Sequence, residues 1–202
     1  DIAISIKPDY AQVYYNRGVT LNELGRLDSA IASYKKAIDL VPNYPDAHNN
    51  LGSALQALGQ YENAIHSYEW AIAYNPNFAE AHNNLGNIYK ELKDPINAIR
   101  CFKKAIENKP DFADSFYSLW VVQMELGELT SSIKSYQSAL SIRPNFIEVL
   151  NNIGSVYKDL GDLDSSLNCL RKALSINPEY VEALNNLGLT LIEMGELDSA
   201  VS

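Results

Sequence analysis

Several kinds of residue are scarce in this chain, and each scarcity excludes something. Three histidines, His48, His66 and His82, lie 18 and 16 residues apart, a spacing that makes neither a metal cluster nor a catalytic triad. His48 and His82 recur at matching places and are expected to face the core. The ten glycines are single and evenly spread, so no phosphate-cradling loop is present. No apolar run approaches the roughly 18 residues that span a bilayer, and no secretory leader opens the sequence. Basic residues are outnumbered 16 to 25, for a net charge of -9. Nonspecific binding to nucleic acid or acidic lipid needs a basic face, so neither is expected, nor is membrane insertion. No constellation for catalysis, metal or cofactor emerges, and the chain reads as noncatalytic. What is present is ample apolar material, 47% of 202 residues, which excludes disorder.

The apolar residues are ordered by a period of 34, and such a period is to be settled before any other reading. The stretch from Ala79 to Phe112, AEAHNNLGNIYKELKDPINAIRCFKKAIENKPDF, shows the unit: two amphipathic helices, a short turn and a closing proline. It recurs as five full repeats, 11–44, 45–78, 79–112, 113–146 and 147–180. Residues 1–10 read as the end of a preceding repeat, with Ala3 at a small-residue place and Pro8 as the stop, and 181–202 as a partial sixth. The whole chain, 1–202, is expected to be a single array and a fragment of a longer one. Its cut ends would expose apolar helix faces, which points to end-to-end self-association. Cys101 and Cys169 stand two periods apart, too far to bridge in a stack, as reduced thiols of an intracellular, cytoplasmic protein would.

Within a repeat, the first helix is expected over about the first 14 residues and the second over about the 18th to the 31st. Tyr14, Leu21 and Leu24, then Ala30, Ile31, Tyr34, Ala37, Ile38 and Val41, form one stripe per helix. Gly25, Gly59, Gly127, Gly161 and Gly195 mark the turn, and Pro42, Pro76, Pro110, Pro144 and Pro178 stop the second helix. Asp28, Asp164 and Asp198 are placed to cap the second helix or favour its dipole. Gly18, Gly52, Gly86, Gly154 and Gly188 are expected to face Ala30, Ala64, Ala98, Ser132, Ser166 and Ala200, small against small. Two departures adjoin: Lys93 replaces a turn glycine, and Trp120 replaces a helix glycine. Trp120 is either drift compensated by Ser132 or a kink and landmark for a partner, whereas Trp70 reads as packing.

These small positions, turn glycines and closing prolines resemble the tetratricopeptide repeat family over essentially the whole length. The resemblance implies an all-α fold, a right-handed superhelix of antiparallel helix pairs (an α-solenoid), with the first helices lining a concave groove. On that groove the sixth position of each repeat reads Asn16, Asn50, Asn84, Ser118, Asn152 and Asn186, and the fifth adds Asn49, Asn83, Asn151 and Asn185. Asparagine is a mediocre helix former, so its recurrence asks for a reason. The amides either grip the backbone of an extended peptide or bond between repeats, and the two roles are compatible. Acids border them, at Asp46, Glu80, Asp114, Glu148 and Glu182 and again at Glu23, Glu91, Glu125, Asp159 and Glu193. They make either a rim that favours a neutral or basic protein or peptide, or a plain solvated face. Lys35–Lys36, Lys103–Lys104 and Arg171–Lys172 fall on second helices as expected outer surface.

The second, fifth and sixth positions lack the bases with which tetratricopeptide co-chaperones clamp acidic tails. The run AEAHNNLGNIYKEL is similar to the superhelix of O-linked N-acetylglucosamine transferases, where the resemblance implies a backbone-binding ladder at Asn16, Asn50, Asn84, Asn152 and Asn186. The expected function is thus a noncatalytic scaffold that binds an extended peptide or partner helix. The alternative is the substrate-recognition arm of a larger enzyme such as a protein O-glycosyltransferase.

Overall fold

A computed structural model describes residues 10–195, the side chains of 129 and 130 excepted. Ala3, Pro8, Asp198 and Ala200 therefore lie outside the described residues. Eleven helices and no strand occur among the described residues. The first helices of successive repeats are α1 (Ala11–Glu23), α3 (Pro45–Ala57), α5 (Ala79–Glu91), α7 (Ala113–Glu125), α9 (Ile147–Asp159) and α11 (Val181–Glu193). The second helices are α2 (Leu27–Leu40), α4 (Tyr61–Tyr74), α6 (Pro95–Asn108), α8 (Leu129–Ile142) and α10 (Leu163–Ile176). The second helix thus starts one residue earlier than expected. The chain divides into two compact units, 1–111 and 112–202.

The turn between the helices works as its glycine implies. Gly59 takes φ +72°, its N–H reaches Gln56 O at 2.8 Å, and the Gln60 N–H reaches Leu55 O at 3.0 Å. Two of the four orphan carbonyls of the helix end are thereby satisfied. Lys93 closes its turn in the same way, at φ +59°, with Lys93 N–H on Lys90 O (3.1 Å) and Asp94 N–H on Tyr89 O (2.8 Å). A side chain in this region costs about 1–2 kcal/mol, and the following helix start offsets part of it. Asp94 caps α6 by accepting from Asn97 N–H at 3.1 Å, and Pro95 occupies the first helical position. Asp162 caps α10 likewise through Ser165 N–H. Asp28 and Asp164 do not cap: they sit inside the first turn, where their charge favours the dipole.

The helix glycines do not face the alanines. A Cβ on Gly18 would fall 2.5 Å from Tyr34 Cε1, and one on Gly86 would fall 2.7 Å from Phe102 Cε1. Gly52 and Gly154 stand in the same relation to Tyr68 and Leu170. The slot thus receives the large side chain at the 24th position, and the small residues of the second helix are buried separately. Burial, eased by Ser53 beside its hydroxyl, pushes the Tyr68 phenol up to about 12.

Trp120 fills that slot differently. Its indole is only 4% exposed and stacks on Tyr117 at 5.7 Å, so it is core and not an outward landmark. It shares a cluster with Tyr136, Phe146, Val149 and Ile153, and the Tyr136 hydroxyl lies 2.7 Å from that of Tyr157. Ser132 spends its hydroxyl on Met124 Sδ at 3.1 Å.

Candidate functional site

In unit 1 the first helices α1, α3 and α5 lie side by side, so residues about one period apart become neighbours. Asn84 Nδ2 donates to Asn49 Oδ1 (3.2 Å), Asn49 Nδ2 to Asn50 Oδ1 (3.3 Å), and Asn50 Nδ2 to the Tyr15 hydroxyl (3.1 Å). In unit 2, Asn186 donates to Asn151 (2.9 Å), Asn151 to Asn152 (3.1 Å), and Asn152 to the Tyr117 hydroxyl (2.8 Å). The two relays are the same four residues, one tyrosine and three asparagines, displaced by three repeats, or 102 residues. Asn49 and Asn151 are buried, at 8% and 5% exposure, whereas Asn50, Asn84, Asn152 and Asn186 are half-exposed.

The sequence reading singled out the amides but passed over the tyrosines. Their signal is at the fifth position, which runs Tyr15, Asn49, Asn83, Tyr117, Asn151, Asn185 and so repeats every three units. Burial, and then the Asp46 carboxylate, raises the Tyr15 phenol. Burial does the same for Tyr117, with the Asn152 bond opposing and Glu148 assisting. Both phenols therefore stay protonated at neutral pH, each with an O–H to donate beyond the bond it accepts. The amides of Asn50, Asn84, Asn152 and Asn186 hold the stack by donating to the neighbouring repeat, and Asn50 is hydrogen-bonded to the Tyr34 phenol as well. Asn16 is exposed and accepts from Gln12 Nε2 at 2.9 Å; Asn83 is buried.

The acids border this site unevenly. Glu80 pairs with Lys109 at 2.8 Å, and that hydrogen bond holds its carboxyl below the usual range. Asp114 receives both guanidinium nitrogens of Arg143, at 3.1 and 2.9 Å. In each repeat the base comes from the 31st position. Glu91 accepts from neutral Gln56 at 3.4 Å, while Glu193 lies 3.7 Å from Lys158 Nζ. Glu125 is exposed, and Glu148 bears electrostatically on Tyr117 and Tyr180.

The histidines fasten the backbone. His48 Nε2 lies 2.8 Å from Pro42 O and His82 Nε2 2.9 Å from Pro76 O, each tying a first helix to the turn before it. His66 is exposed beside Glu69. No group of three His, Cys, Asp or Glu residues could hold a metal ion among the described residues. Burial pushes the Cys101 thiol up to about 11. Trp70, expected as packing, is 54% exposed and stacks on Tyr74 at 5.6 Å. Lys35, Lys36, Lys103, Lys104, Arg171 and Lys172 are exposed on second helices. No helix among the described residues is long and apolar enough to cross a membrane.

Comparison with known proteins agrees with this architecture. The family model described as TPR repeat matches residues 20–59, 54–93, 122–161 and 154–195, and a second, Tetratricopeptide repeat, matches 79–112. Among solved structures, MamA is 28% identical, with a TM-score of 0.70 over 85% of this chain and 94% of that one. PilF of Pseudomonas aeruginosa is 18% identical with a TM-score of 0.86, over 95% of this chain and 87% of its own. YrrB, a TPR protein with an unusual peptide-binding site, is 22% identical with a TM-score of 0.69, over 91% of this chain and 94% of its own. The likeness to PilF and YrrB is one of fold alone. No curated protein matches the sequence.

Proposed function

Because the chain belongs to the tetratricopeptide repeat family, we propose that it is a noncatalytic scaffold whose first helices hold an extended polypeptide by its backbone. One observation carries this reading: in each unit partly exposed asparagines are locked in place by bonds to the neighbouring repeat. Preorganised donors lose little entropy on binding, and a row of amides grips peptide carbonyls without reading side chains. Glu91, which accepts from the neutral Gln56 amide, and Glu148, which bears on the Tyr117 phenol, favour a neutral or basic segment over an acidic one.

The test is a peptide array of basic, neutral and acidic extended peptides, read at two salt concentrations with the wild type and an Asn50→Ala/Asn84→Ala variant. Basic and neutral peptides should bind, and the variant should lose most of that binding. Its melting point should fall modestly, because each lost inter-repeat bond is worth about 1 kcal/mol net. Unchanged binding in the variant refutes the reading.

A further inference from the structure

The second-position acids and the rings at the 34th position show, within this chain, what they take when they are filled. Glu80 and Asp114 each hold a base from the 31st position, Lys109 at 2.8 Å and Arg143 at 3.1 and 2.9 Å. The same Arg143 guanidinium lies over the Phe146 ring at 4.2 Å, and Phe146 is only 5% exposed. Phe146 also meets Tyr117, with centroids 5.3 Å apart.

Three repeats earlier the ring pair recurs as Tyr15 and Tyr44, 5.1 Å apart, but the base does not. Val41 stands at the place of Arg143, and Gln12 at that of Asp114. Gln12 serves the ring instead: the Tyr44 hydroxyl donates to Gln12 Oε1 at 2.8 Å, while Asn50 Nδ2 holds the Tyr15 hydroxyl at 3.1 Å. Both rings are thus fixed by their hydroxyls and remain partly exposed. An acid stands with them. Burial raises both phenols, and the exposed Asp46 carboxylate adds to each. The 31st position that would neutralise Asp46 is Asn75, whose Oδ1 accepts from Asn77 N–H at 3.3 Å in its own turn. A fixed ring pair and a carboxylate therefore lie together, and neither repeat supplies the base that fills the counterpart places.

Resting on the proposed peptide reading and deepening it, we infer that Tyr15, Tyr44 and Asp46 form a subsite for one arginine side chain of the bound polypeptide. A guanidinium is the group that fits, because its plane stacks on an aromatic face while its N–H groups pair with a carboxylate. Arg143 makes both kinds of contact inside the chain. The partner is thus an extended segment whose arginine reaches the tyrosine pair when its backbone lies along Asn50 and Asn84.

Calorimetric titration of the whole chain tests this, with uncharged Ser/Thr-rich peptides in which one arginine, or citrulline in its place, is moved along the sequence. In the best register the arginine peptide should bind roughly tenfold tighter than its citrulline twin, and the gap should narrow at high salt. Asp46→Asn, at an exposed position, should close most of that gap without moving the melting point. Val41→Arg/Gln12→Asp copies the Arg143–Asp114 pair onto Tyr44 and should close it too, leaving the citrulline peptide's affinity unchanged. A gap that survives either variant overturns the subsite, because the preference then comes from other acids. Equal binding of the two peptides to the wild type, lost in Asn50→Ala/Asn84→Ala, overturns it as well and leaves the scaffold reading standing. No binding of any probe sinks both.

Discussion

The two units carry the same relay on different cores. In unit 1 each first helix presents a glycine to a ring on the second, Gly18 to Tyr34, Gly52 to Tyr68 and Gly86 to Phe102. In unit 2 the first of these slots holds Trp120, and the second pairs Gly154 with Leu170. Yet the hydrogen bonds from Asn152 to Tyr117 and from Asn186 to Asn151 match their counterparts three repeats earlier. The difference teaches that the inter-repeat polar register tolerates a changed helix–helix interior. What it requires is first helices laid side by side at a constant period, and either filling of the slot supplies that.

The largest expected effect comes from exchanging the two solutions. Trp120→Ala should cost about 3–5 kcal/mol, since it empties a buried volume among Tyr136, Phe146 and Val149. Gly86→Ala should cost about 1–3 kcal/mol, because its Cβ would meet Phe102 at 2.7 Å. Urea denaturation reads both, and a loss under about 1 kcal/mol for Trp120→Ala would mean that the indole is not integral to the core. A smaller effect of opposite sign separates the turns. Lys93→Gly should stabilise by about 0.5–1 kcal/mol by relieving the positive φ, while Gly127→Ala, at φ +73°, should destabilise by a similar amount. If neither shifts the melting point, the left-handed turn is not under strain.

The smallest effect is electrostatic. The folded-state pKa of Glu80 lies below its unfolded value, so its contribution is present above about pH 4.3 and is lost as pH falls through the folded value. Melting points between about pH 5 and pH 3 should therefore fall less steeply in Glu80→Gln than in the wild type. Parallel curves would show that the Lys109 pair contributes nothing to stability, as for many exposed pairs.

Local features were legible in the sequence. Turn glycines, closing prolines and the apolar stripe act within a few residues, and all recur at one period, so the helix pairs could be placed to within a residue or so. The asparagines were legible for the same reason. The tyrosines that terminate each relay were not, because Tyr15 and Asn50 are 35 positions apart and meet only once helices stack. The Lys109 and Arg143 partners of Glu80 and Asp114 lie 29 positions downstream, so those acids read as an open rim until the structure paired them. The glycine slots were misassigned to alanine because a helical pattern shows which residues are small but not which ring will lie over them. Lys93 kept its turn because the hydrogen bonds that close it involve only backbone groups, which any residue but proline supplies.

One further consequence follows from where the two indoles lie. Unit 1 holds Trp70, more than half exposed, and unit 2 holds Trp120, almost fully buried. Emission from the first is already relaxed by water, while that of the second reddens only when its surroundings open. Repeat arrays lose cooperativity by degrees, as neighbouring units uncouple before either melts. In this chain the fluorescence of unit 2 can thus be followed against a nearly silent unit 1, so the melting of one half is visible by colour alone.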